Sequence, residues 1–139
     1  MSGKGMQTFL GVAHPWMCDV MGHMSARHYM AMFDDASFYL LGIIANLEIR
    51  PGAPTGWADV RYEIDYRAEV QPGTLIAITS RIERIGRSSV TIVHNMDGAL
   101  DRLPRAQAMA VTVHFDMTKR EAAPLPPDIR QRAEALMQR

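Results

Sequence analysis

The chain has 139 residues, 47% of them hydrophobic, and its 15 basic side chains balance 15 acidic ones. That suffices for one domain with its own core and is too little for two. Zero net charge argues against a phosphate backbone as the main partner, so nucleic acid is not expected, and it leaves little repulsion between copies, which suits a protein that buries surface by self-association. The single Cys18 offers no intrachain disulfide and predicts a reducing, cytoplasmic setting. No apolar run is long enough to cross a bilayer, so no membrane partner is expected.

The first strand is predicted over Phe9 to Trp16, ended by Pro15. Ser25 suits a helix N-cap, because its hydroxyl can accept from first-turn N–H groups. Apolar residues then recur at Tyr29, Met32, Phe33, Ala36, Leu40, Ile43, Ile44 and Leu47. That spacing predicts a long helix with one buried stripe, leaving Arg27, Asp34 and Ser37 off it. Pro51, Gly52 and Pro54 form a loop.

From Val60 to Val70 apolar and charged residues alternate strictly, which predicts a half-buried antiparallel strand. Val60, Tyr62, Ile64, Tyr66, Ala68 and Val70 face the core, and Asp59, Arg61, Glu63, Asp65, Arg67 and Glu69 face outward. Thr74 to Ile85 and Ser88 to Met96 read as two strands joined at Gly86-Arg87, and Arg105 to Met117 as another. Asp128 to Met137, after a run of prolines, is a short terminal helix. One apolar helix stripe must pack on one face of a sheet. The class is α+β: an antiparallel sheet wrapped around one long helix, in a single domain over 1–139.

The segment Cys18-Asp-Val-Met-Gly-His-Met-Ser-Ala-Arg-His-Tyr29 carries the chemistry. It sets a carboxylate beside a helix N-terminus, where unpaired N–H groups can hold a developing oxyanion. Asp19 is either the reacting acid or an exposed turn acid. Gly22 supplies a positive φ or a close backbone approach. His23 orients Asp19, bonds the reacting oxygen or moves a proton, or is a structural residue. The amides of Ser25 and Ala26 are the candidate oxyanion donors. Asp34 and Asp35, further along the helix, read as solvated or structural acids. His14, Cys18, Asp19, His23 and His28 crowd together without a recognised ligand spacing, so no metal is expected. Met17, Met21, Met24, Met30 and Met32 either line an adaptable pocket or fill the core. Trp57 and Tyr62 are candidate walls from the facing strand. Arg84, Arg87 and Ser88 at the hairpin are either solvated or placed for phosphate.

The element order, with Asp19-Val-Met-Gly22-His23-Met at the strand–helix junction and Tyr29 in the helix, resembles the hotdog-fold acyl-CoA thioesterases. It is most similar to the 4-hydroxybenzoyl-CoA thioesterase-like branch, over about Gln7 to Pro127. The resemblance implies hydrolysis of an acyl-CoA to free acid and CoA without a cofactor. In it Asp19 is base or nucleophile, Ala26 is the residue whose amide polarises the carbonyl, and His23 and Ser25 stand beside them. Gly22, Met24, Tyr29, Trp57, Arg87 and Ser88 would face the substrate, with Arg87 on the CoA phosphates. Many relatives carry Asn where Ser25 and Ala26 stand here. The resemblance also implies an obligate homodimer, joined sheet edge to sheet edge, from which a homotetramer can be built. The strand from Ser88 to Met96 is the expected edge. A dehydratase or hydratase on the same fold, and a non-catalytic acyl-CoA-binding module, are the alternatives.

Overall fold

A helix with one continuous apolar stripe is stable only where a sheet covers that stripe. The computed structural model describes residues 5–46 and 49–138 and shows this solution. Strand β1 (Met6–Val12) leads through a 3-10 turn (Pro15–Met17) to helix α1 (Ala26–Ile44). Strands β2 (Thr55–Tyr66), β3 (Leu75–Ile85), β4 (Ser89–Gly98), β5 (Pro104–Asp116) and the two-residue β6 (Glu121–Ala122) follow, then helix α2 (Pro127–Met137). Among the described residues the strands form one antiparallel sheet in the order β1-β3-β4-β5-β2, with β6 paired to β5.

Of the predicted stripe, Tyr29, Met32, Phe33, Ala36, Leu40 and Ile44 are buried, Ile43 is only half-buried, and Leu41, not assigned to the stripe, is buried with them. Leu47 lies outside the described residues. The first half of α1 packs on Ile76, Ile78, Met96, Ala106 and Ala108. The second half packs on Ile82, Val90 and Ile92, with Ile129 and Ala133 of α2 closing over it. Burying each large apolar side chain contributes about 1.5–3 kcal/mol. Ala106, Ala108 and Ala110 of β5 are buried on one face, and small residues there let a helix lie close to the sheet. Arg132 of α2 donates from Nε to the Ile44 carbonyl at 2.6 Å and so caps the end of α1.

Four sequence expectations are corrected. The first strand ends at Val12, and Pro15 opens a 3-10 turn, because proline has a fixed φ and no N–H for a ladder. The second strand runs Thr55–Tyr66 instead of Val60 to Val70. The chain leaves it where Arg67 and Ala68 both donate to the Arg105 carbonyl, at 2.9 and 3.2 Å. Within β2 the register slips between Asp59 and Arg61, since Asp59 pairs with Thr112 and Arg61 with Val111. Val60 is the extra residue of a β-bulge. It is 63% exposed, and Asp59 takes the helix-facing side that strict alternation assigns to Val60. Finally, β4 lies between β3 and β5, so it is central, and β1 and β2 are the outer strands.

Candidate active site

β1 ends at Val12, and residues 15–25 form a loop that carries Asp19 and leads into α1. Cys18 and Met24 form an isolated antiparallel bridge, and Asp19 N–H donates to the His23 carbonyl at 3.1 Å. Gly22 N–H returns to the Asp19 carbonyl at 3.0 Å. Gly22 sits at φ +89, and no atom lies within 4 Å of the place a Cβ would take, so the turn asks for glycine through backbone conformation and not through crowding. Asp19 Oδ1 accepts from Met21 N–H at 2.9 Å, which orients a half-buried carboxylate at the loop.

The first turn of α1 is left open. Ser25 holds the N-cap position, yet its side chain makes no cap bond and its hydroxyl leans to the Met17 carbonyl at 3.4 Å. Its amide donates to the same carbonyl at 3.0 Å. The expected oxyanion donor Ser25 is therefore spent inside the protein, because the loop needs that amide to dock on the 3-10 turn. Ala26, the first helical residue and exposed, has no backbone acceptor for its N–H among the described residues. That is the orphan donor that a helix start provides.

The His23 ring makes no hydrogen bond or ion pair with the Asp19 carboxylate. Its Nε2 lies 3.5 Å from Oε1 of Glu69, on the segment between β2 and β3, a partner that local sequence spacing does not reveal. Met24 and Tyr29 belong to the core, at 3% and 5% exposure. The Tyr29 hydroxyl donates to the Ala68 carbonyl at 3.4 Å, its ring meets Tyr66 edge-on, and burial raises its pKa. His14 stacks on the exposed Trp16, and His28 meets the same indole edge-on at 5.4 Å.

Arg87 and Ser88 lie in the β3–β4 hairpin, with the Arg87 side chain exposed. Arg130 of α2 braces that hairpin by donating to the Gly86 carbonyl at 2.8 Å, a contact invisible in the local sequence.

Trp57 is placed apart from the Asp19 loop. It lines a hollow of about 90 Å³ between α1, β2 and β5, together with Asp34, Ser37, Phe38, Asp59 and Thr112. Asp34 is thus neither a fully solvated acid nor off the packed face. Burial, reinforced by the charges of Asp59 and Asp35, holds its carboxyl above the usual range. Ser37, expected off the stripe, is 3% exposed and bonds both Tyr62 Oη, at 3.0 Å, and His94 Nε2, at 2.8 Å. Burial pushes Tyr62 up to about 12, and it lowers His94 to about 4, so that imidazole is neutral. The sequence signal for this arrangement was a lone His at an inward position of a strand, facing Ser37 on the helix.

A family model described as the thioesterase-like superfamily matches residues 13–133. No curated protein matches the chain in sequence. Among solved structures, a thioesterase from Thermus thermophilus, complexed with coenzyme A and Zn, is similar with a TM-score of 0.81 at 22% identity, over 100% of this chain and 98% of that one. A 1,4-dihydroxy-2-naphthoyl-CoA thioesterase from Synechocystis is similar with a TM-score of 0.73 at 17% identity, over 90% of this chain and 93% of that one. A Staphylococcus aureus protein solved in complex with CoA reaches a TM-score of 0.87 at 11% identity, over 99% and 88%. At such identities the structural likeness establishes the hotdog fold, while the family model spans nearly the whole chain. Sheet, helix and sequence profile thus agree, and the chain belongs to the thioesterase-like superfamily of hotdog-fold thioester hydrolases.

Proposed function

We propose that the protein hydrolyses an acyl-CoA thioester to the free acid and CoA at the junction of the Asp19 loop and α1. What supports this reading is an oriented carboxylate on the loop that leads into an uncapped helix start: Asp19 Oδ1 is held by Met21 N–H, and the Ala26 amide has no backbone acceptor among the described residues. The thioester oxygen sits on the Ala26 N–H, where the positive end of the helix stabilises the charge that develops on it. Asp19 either takes a proton from water as that water attacks the carbonyl carbon, or attacks it directly through a mixed anhydride that water then opens. In both routes the carbon–sulfur bond breaks and the CoA thiolate takes up a proton. His23, tied to Glu69, holds the loop and borders the site. Arg87, exposed at its hairpin, is placed to meet the nucleotide phosphates of CoA. The structural neighbours solved with CoA support a CoA ester as substrate.

We further propose a homodimer in a reducing, cytoplasmic setting. Outer strand β2 presents unpaired backbone groups together with exposed Val60 and Tyr66, and exposed Phe38 and Tyr39 stand on α1. Such an edge is a template for pairing with another chain. Thiol release from a panel of aliphatic and aromatic acyl-CoAs tests the activity. Release with at least one member is expected. Hydration of an enoyl-CoA with no thiol released from any member would contradict it and favour the hydratase reading.

A further inference from the structure

The tip of the Asp19 loop has little packing of its own. Val20 is fully exposed, Met21 is 71% exposed, and no atom lies within 4 Å of the Cβ position of Gly22. The bonds that shape the tip stay inside it: Asp19 N–H to the His23 carbonyl, Gly22 N–H to the Asp19 carbonyl, and Met21 N–H to Asp19 Oδ1. Such bonds give the loop a form without fixing its place on the protein. Among the described residues, two polar ties run from the stretch between Asp19 and Met24 to elements outside the loop. Met24 N–H donates to the Val70 carbonyl at 2.8 Å, and His23 Nε2 lies 3.5 Å from Oε1 of Glu69.

Both ties end on one short segment, and that segment is anchored. Arg67 and Ala68 donate to the Arg105 carbonyl, and the Val70 side chain is fully buried. The same segment reaches the other half of the site. Tyr29, on the opening turn of α1 that Ala26 begins, donates from its hydroxyl to the Ala68 carbonyl at 3.4 Å. Ala68, Glu69 and Val70 thus hold, in order, the start of α1, the His23 ring and the backbone of Met24. The contacts at Ala68 and Val70 use backbone carbonyls, which any residue supplies. The Glu69 contact depends on its side chain. That side chain is 66% exposed and has no other hydrogen-bond or ion-pair partner among the described residues, so packing gives no reason for a carboxylate there.

We infer that Glu69 is a positioning residue for the hydrolysis, acting through His23 to fix the Asp19 carboxylate relative to the Ala26 amide. The inference rests on the hydrolase reading and adds to it a residue that touches no reacting atom. The backbone tie at Met24 pins the end of the loop nearest α1, and the His23–Glu69 contact keeps the tip from swinging about it. Without Glu69 the carboxylate spends less time within reach of a carbonyl held on Ala26, and rates fall steeply with misplacement of that kind. Glu69 holds no part of the substrate, so the effect falls on kcat and not on KM.

A double-mutant cycle on the full chain tests this. In Glu69→Gln, at an exposed position that leaves the fold intact, kcat on the best acyl-CoA of a panel is expected to fall about tenfold with KM within about twofold. In a His23→Gln background the same substitution is expected to cost nothing further, because its route to Asp19 is already cut. An unchanged kcat in Glu69→Gln overturns the inference. So does an undiminished loss in the His23→Gln background, since Glu69 would then act by another route. A merely structural residue would move the melting temperature and leave kcat of the folded protein unchanged. Exchange of the Met21 amide proton, read by NMR without substrate, follows the Asp19 carboxylate that accepts from it. Exchange about tenfold faster in Glu69→Gln is expected, and equal exchange overturns the inference. If the wild type releases no thiol from any ester, the hydrolase reading fails by itself, and the Met21 amide still decides whether Glu69 positions the carboxylate.

Discussion

Ala26 contributes an amide and no side-chain chemistry, which makes its role separable. Proline is favoured at the first helical position, and Ser25 already has the extended conformation, φ −80 and ψ 156, that a residue before proline needs. Ala26→Pro thus removes one N–H while keeping the helix. The expected result is an unchanged far-UV spectrum with kcat lowered about 100–1,000-fold, the cost of losing one oxyanion donor. That Asp19 stands in the loop leading into a long helix was legible in the sequence, because a carboxylate before a helix start is a local pattern, whereas Ala26 was singled out by the family resemblance. Ser25 was legible as an N-cap by position, but which partner its hydroxyl and amide take depends on Met17, eight residues away in a folded loop. Glu69 was not legible beside His23, since the contact spans two elements.

At the scale of elements, period-two alternation identified the second strand but misassigned Asp59 and Val60. A bulge adds one residue and exchanges the faces on one side of it, and the alternation itself carries no mark of that. The central place of β4 was hidden for a related reason: strand order is set by long-range pairing, not by chain order. The buried polar chain through His94 ties β1, β3, β4, α1 and β2 together. It also carries a pH signature. The folded value near 4 lies below the ordinary 6.5, so between those values the unfolded chain binds more protons. This contribution is complete above pH 6.5 and is lost as the pH falls toward 4, amounting to about 3 kcal/mol. Urea titrations from pH 7 to pH 4 should show that loss, and His94→Gln should show a shallower slope over the same range despite lower stability at pH 7. An equal slope in the variant would contradict the assignment.

For the molecule as a whole, the apolar helix period and four of the strands were enough to give the architecture, because a single stripe admits few ways of being covered. Assembly was not readable in the same way, as the free edge is known only once the strand order is. With β2 exposed, light scattering on the eluting protein is expected to give a dimer mass. Replacing Val60 and Tyr66 by Lys should shift it toward monomer, since charge on an edge opposes pairing. A monomer in the wild-type chain at micromolar concentration would contradict the edge-pairing reading. The central claim is hydrolysis of a thioester driven by one carboxylate, and steady-state thiol release by wild type and Asp19→Asn, on the best acyl-CoA of a panel, tests it most directly. Asn keeps the Oδ1 acceptor for Met21 N–H and so keeps the loop. The account predicts a folded variant with kcat reduced at least about 100-fold, the low end of what a positioned base contributes; a folded variant that releases thiol at the wild-type rate would contradict it.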